Sequence, residues 1–168
     1  MTTQRQAPVE PAGPDVDRPA PAPDRPRDWD PAVLAVIAVG GVLGAETRYG
    51  LSVLLPHEPG GWPWATWLVN TSGCFLIGVL MVVITEVTSP HRLVRPFLGV
   101  GVLGGYTTFS TAMVDVHQMA LAGRPGPVLG YLAATVTAAV GAAFAGATAT
   151  RAAGALRLRR RTRRRERA

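Results

Sequence analysis

The chain has 168 residues, 48% of them hydrophobic and only 17% charged, with a mean hydropathy of +0.20. That balance lies on the membrane side of the globular range and fits one domain. The formal net charge is +6, every basic residue is arginine, and a single cysteine, Cys74, excludes an internal disulfide.

Residues 1–30 are Pro-rich and polar and hold six of the eleven acidic residues. They are too poor in large aliphatics to offset the entropy of ordering, which predicts a disordered N-terminal tail. No basic start followed by an apolar run precedes Pro31, so the tail does not read as a signal peptide. From there the pattern predicts an all-α integral membrane protein with a membrane domain over residues 31–150. Apolar stretches run from Pro31 to Leu55, Trp64 to Val87, Pro96 to Leu121 and Pro127 to Ala149, each near the ~20 residues that a spanning helix needs. Pro31, Pro96 and Pro127 suit the first turn of a helix, where the missing N–H is not required. Trp62, Trp64 and Trp67 gather where the second span begins, as amphipathic rings do at headgroup level. The short connections predict antiparallel neighbours in a compact bundle.

The first span carries Gly40 and Gly44, and the third Gly101 and Gly105, both in the G-x-x-x-G pattern of close helix contact. It also carries Glu46 and Arg48. Ionisable residues inside a span are functional candidates, and the same holds for Glu86 and Asp115, which lie near enough to an interface to be partly hydrated. The second span places Thr66 and Asn70 on one face, and the fourth does so with Tyr131 and Thr135. A lone hydroxyl in a membrane helix usually bonds back to its own backbone, whereas the Asn70 amide is harder to bury without a partner.

The third span holds the most informative segment, Gly104-Gly105-Tyr106-Thr107-Thr108-Phe109-Ser110-Thr111. Glycines and hydroxyls in mid-span predict a helix broken at its centre. Unwound backbone at that depth survives only where it is buried in protein or lines a polar cavity, which points to a pore or a binding site.

Residues 151–168 contain nine of the seventeen arginines. Directly after a span, such a C-terminal tail reads as a topology determinant in contact with anionic lipid and not as a nucleic-acid patch. Arginines also flank the connection at Arg92 and Arg95, so charge bias predicts both termini in the cytoplasm of a multi-pass plasma-membrane protein. Enzyme readings find no support: H-E-x-x-H and G-x-S-x-G are absent, lysine is absent, and His57, His91 and His117 show no ligand spacing.

Three motifs, Gly40 through Tyr49, Thr66 through Gly73 and Gly104 through Ser110, occur in the order and on the helices of the Fluc, or CrcB, fluoride channels, and from about Ala32 to Ala149 the chain resembles that family. The resemblance implies a fluoride-selective channel giving passive fluoride release and resistance to fluoride, built as a dimeric antiparallel bundle of four-helix subunits. It implies a structural sodium ion (Na+) on the dimer axis, held by the backbone carbonyls of Gly104 and Thr107. It further implies a fluoride path with Asn70 as the pore-facing amide, Phe109 as the first of two edge-on rings, Arg48 near a vestibule, and Tyr131 with Thr135 as a hydroxyl track. The hydroxyls of Thr66 and Ser110 are expected to add donors that replace water around the ion. Where the family repeats phenylalanine, this chain has Ala112. That departure, with the charge bias against dual insertion, leads to the expectation of a related, oppositely oriented partner subunit. The alternative is a small proton-coupled exporter of cationic compounds that uses Glu46 as its membrane carboxylate.

Overall fold

The computed structural model of the chain describes residues 30–87 and 90–166, the side chains of 157–166 excepted. The expected N-terminal tail, apart from Asp30, lies outside the described residues, as do the arginine side chains beyond residue 156. The described chain forms α1 (Pro31–Leu54), α2 (Trp64–Val82) continued by a π-wound turn (Val83–Val87), a π-wound segment (Pro96–Leu103) that tightens into a single α turn α3 (Gly104–Tyr106), α4 (Ser110–Leu121) and α5 (Pro125–Glu166). Four runs are long and apolar enough to cross a membrane: Pro31–Leu54, Trp64–Val87, Pro96–Leu121 and Pro125–Leu156.

The starts follow the sequence signals. Asp30 caps α1, its Oδ1 accepting from the Ala32 N–H at 3.0 Å, and Pro31 occupies the first turn. The last helix begins at Pro125, two residues before the expected Pro127, and continues past Ala149 to Glu166. The Ala, Leu and Arg residues there are strong helix formers, so the backbone stays helical beyond the apolar stretch.

Two interfaces lined by glycine bring the helices together. α1 packs on Pro96–Leu103 and α3: a Cβ added at Gly44 would overlap the Val102 carbonyl oxygen, and one at Gly105 would overlap the Gly41 carbonyl oxygen. α2 and α5 run side by side and in parallel, and a Cβ at Gly78 would strike the Ala143 carbonyl oxygen. Backbones approach this closely only where side chains are missing, and in a membrane the gain is dispersion and not water release. A small core of Ala112, Met119 and Tyr131, flanked by Trp62 and Trp67, closes the end where the α1–α2 and α4–α5 connections lie. At the opposite end, ion pairs join Asp30 to Arg92 and Glu86 to Arg151.

Candidate functional site

Helical structure in the third span stops at Tyr106 and resumes at Ser110, and Thr107 is extended (φ −80°, ψ 159°). No proline lies in this stretch. The chain is held open from outside, chiefly by Asn70 on α2. Its Nδ2 donates to the Thr108 carbonyl and its Oδ1 accepts from the Thr108 N–H, both at 2.8 Å. The Thr108 N–H therefore goes to a side chain and not to the Gly104 carbonyl four residues back. The next turn repeats the device, since the Thr111 N–H donates to Thr108 Oγ1 at 3.2 Å and not to the Thr107 carbonyl. Arg48 on α1 donates through Nε to the Gly105 carbonyl at 3.2 Å, and Ser72 shares a 2.8 Å hydrogen bond with the Tyr106 hydroxyl. Gly73 makes room for the interruption, because a Cβ there would overlap the Thr107 methyl group.

Beside the interruption lies a cavity of about 600 Å³, whose wall includes Asn70, Gly104, Thr107, Phe109, Tyr131 and Thr135 and no charged residue. Its polar character comes from neutral groups. The Asn70 amide keeps one N–H after binding Thr108. The Tyr131 hydroxyl and Thr135 Oγ1 are buried one helical turn apart, close enough to interact with each other, and neither makes a hydrogen bond of normal geometry to any other described residue. Buried hydroxyls are ordinarily satisfied, and each one left alone costs about 1–3 kcal/mol, so such groups point to a ligand or to water. Phe109 borders the cavity with its ring 77% exposed in the single chain.

Six of the residues singled out in the sequence thus meet on one wall. The others do not. Thr66 is buried and donates from Oγ1 to Asp115 Oδ2 at 2.8 Å, away from the cavity lining. Ser110 is exposed, with Oγ 3.4 Å from Thr108 Oγ1. Arg48 supports the interruption from behind, and Glu46 is exposed on α1 outside the lining. Asp115 was expected to be partly hydrated; it is only 7% exposed, and its second oxygen lies 3.5 Å from His57 Nε2. The connection after α1 folds over it and brings the imidazole in. That pairing joins residues 58 positions apart with no spacing signal in the sequence, and the burial of the Trp62 and Trp67 indole nitrogens has none either. Among the described residues no group of three His, Cys, Asp or Glu gathers to hold a metal.

Apolar spans around an opened backbone and a neutral, donor-bearing cavity define a multi-pass, all-helical membrane protein. The sequence profile of the family described as "CrcB-like protein, Camphor Resistance (CrcB)" matches residues 35–147, and the chain belongs to that family. It is 51% identical over 137 residues to "Fluoride-specific ion channel FluC 2" of Nocardia farcinica, which covers 81% of this chain and 98% of the relative. Identity is 56% over 104 residues to the protein of the same name in Streptomyces avermitilis (62% and 66% covered), and 55% over 119 residues to "Fluoride-specific ion channel FluC 1" of Streptomyces coelicolor (71% and 77% covered).

Proposed function

We propose that the chain is a subunit of a fluoride-selective channel of the plasma membrane, with both termini in the cytoplasm, that releases fluoride passively and so confers resistance to it. The observation that carries this reading is the uncharged cavity whose buried Tyr131 and Thr135 oxygens have no partner beyond each other among the described residues, set beside an amide that holds the backbone open. Fluoride is small and tightly hydrated, and it enters only where donors replace its water. The free Asn70 N–H and the hydroxyls of Tyr131 and Thr135 supply them. A neutral wall avoids trapping the anion, which keeps binding weak enough for exit. The Phe109 ring presents a positive edge to a passing anion while narrowing the way for larger, wetter ones. The gradient and the membrane potential drive the flow. Hydrogen fluoride enters acid-exposed cells uncharged and dissociates inside, so an uncoupled leak is protective.

The names of the relatives support this reading, and the four-helix exporter alternative gains nothing from Glu46, which stands outside the cavity. The diverted Thr108 and Thr111 N–H groups fit a structural sodium ion, since they leave the Gly104 and Thr107 carbonyls open to a hard cation. Bound there, the ion would neutralise the carbonyl dipoles and join two subunits. The pair is antiparallel, and because Ala112 leaves only one ring on this chain, the partner is a related subunit of opposite orientation that supplies the second. Fluoride and chloride efflux from liposomes, with and without an added related subunit, tests both parts. Selective fluoride efflux supports the channel. Its absence from correctly paired protein overturns the channel reading, and full flux from the single chain overturns the unlike pair.

A further inference from the structure

The cavity does not account for every unsatisfied buried donor. The indole Nε1 groups of Trp62 and Trp67 are also buried without a hydrogen-bond partner among the described residues. An indole nitrogen only donates, so what it lacks is an acceptor. Both indoles pack against the core that contains Tyr131, and the Trp62 ring meets Tyr131 edge-on at 5.4 Å between centroids. α2 and α5 start at the same end of the bundle, so the donors fall into tiers along the membrane normal. Trp62, Trp67 and Tyr131 lie nearest the α1–α2 connection, and Asn70 and Thr135 about one turn, roughly 5 Å, deeper.

We infer that the Trp62 and Trp67 N–H groups, with the Tyr131 hydroxyl at the outer end of the cavity, form an outer anion site that takes a small, partly dehydrated monovalent anion before it reaches Asn70 and Thr135. The inference rests on the channel reading for the identity of the ion, fluoride. The nearby carboxylate does not fill the role of acceptor, because neither indole nitrogen makes a hydrogen bond to Asp115, which accepts from Thr66 and lies 3.5 Å from His57. A neutral row of donors at the entrance removes the hydration shell in steps, which lowers the barrier for the most tightly hydrated halide while giving a larger one little in return.

The test uses the full chain in liposomes, with its partner subunit if flux needs one. Trp62→Phe and Trp67→Phe keep the ring and remove only the N–H; Trp64→Phe is the control, since that indole is exposed. The double variant W62F/W67F is expected to lower fluoride flux about tenfold, as the loss of a donor to a charged group implies, and W64F to stay within about twofold of wild type. Independently, in a background of Trp29→Phe and Trp64→Phe, the remaining indole emission is expected to respond saturably to sodium fluoride and not to sodium chloride. Unchanged flux and no emission response in protein that otherwise conducts overturn the outer site. A saturable response without conduction supports the site and overturns the channel reading instead.

Discussion

Replacing Asn70 by Ala removes both hydrogen bonds that hold Thr108 away from helical pairing. Each part-buried Thr108 group left unmatched costs about 1–3 kcal/mol, so a rigid interruption would lose roughly 2–6 kcal/mol. The structure offers relief, because the Thr108 N–H can turn back to the Gly104 carbonyl and let the helix close. Closure would recover part of the loss but would occupy the carbonyl and remove the amide from the cavity wall. Asn70→Ala is therefore expected to lower fluoride efflux by at least about tenfold, with a stability loss at the lower end of that range. Efflux is read with a fluoride electrode on liposomes, and stability by denaturant or thermal unfolding in detergent. Wild-type efflux together with unchanged stability would refute the assignment of the interruption to this side chain.

Other outcomes follow from neighbouring features. Gly44→Ala drives a methyl into the Val102 carbonyl and should destabilise the subunit by about 1–3 kcal/mol, measured as a lowered unfolding midpoint, because backbone cannot yield as a side chain can. Glu46→Gln should leave fluoride efflux and its pH dependence within about twofold of wild type; loss of pH-coupled transport would favour the exporter alternative. The Arg92 guanidinium and the Ala32 N–H hold the Asp30 carboxyl below the usual carboxylate value. A depressed folded-state value means that this contribution is present above the unfolded value near 3.9 and is lost as pH falls through the lower folded one. Arg92→Ala should therefore narrow the difference in stability between pH 6 and pH 3, by a small amount because the pair is exposed.

Much of the architecture was legible because membrane constraints act locally. Pro31, Trp64 and Pro96 mark the starts of spans in both sequence and structure, and Gly40, Gly44, Gly101 and Gly105 lie where backbones touch. The composition that signals a span ends near Ala149, but a helix ends where backbone propensity fails, and Ala-, Leu- and Arg-rich chain does not fail there. Of the site, the residues flanking the interruption were legible from their unusual depth in an apolar run. The partners were not. Thr66 shares a face with Asn70, yet 49 residues separate it from the Asp115 carboxylate that takes its hydroxyl, and no periodicity encodes that distance. The Trp62 and Trp67 rings read as interfacial belt residues, since an unmatched indole nitrogen shows itself only once its surroundings are built.

The last helix is 42 residues long, a rod of about 63 Å, roughly twice the thickness of a bilayer's hydrocarbon layer. Its first half carries Tyr131 and Thr135, and with that half in the hydrocarbon the far end would project beyond it. If two identical copies insert in opposite senses, each face of the membrane bears one such spike. Under the proposed pairing, an unlike partner without the extension would leave all of that charge on a single side, a sidedness that the paired four-helix units alone would not give.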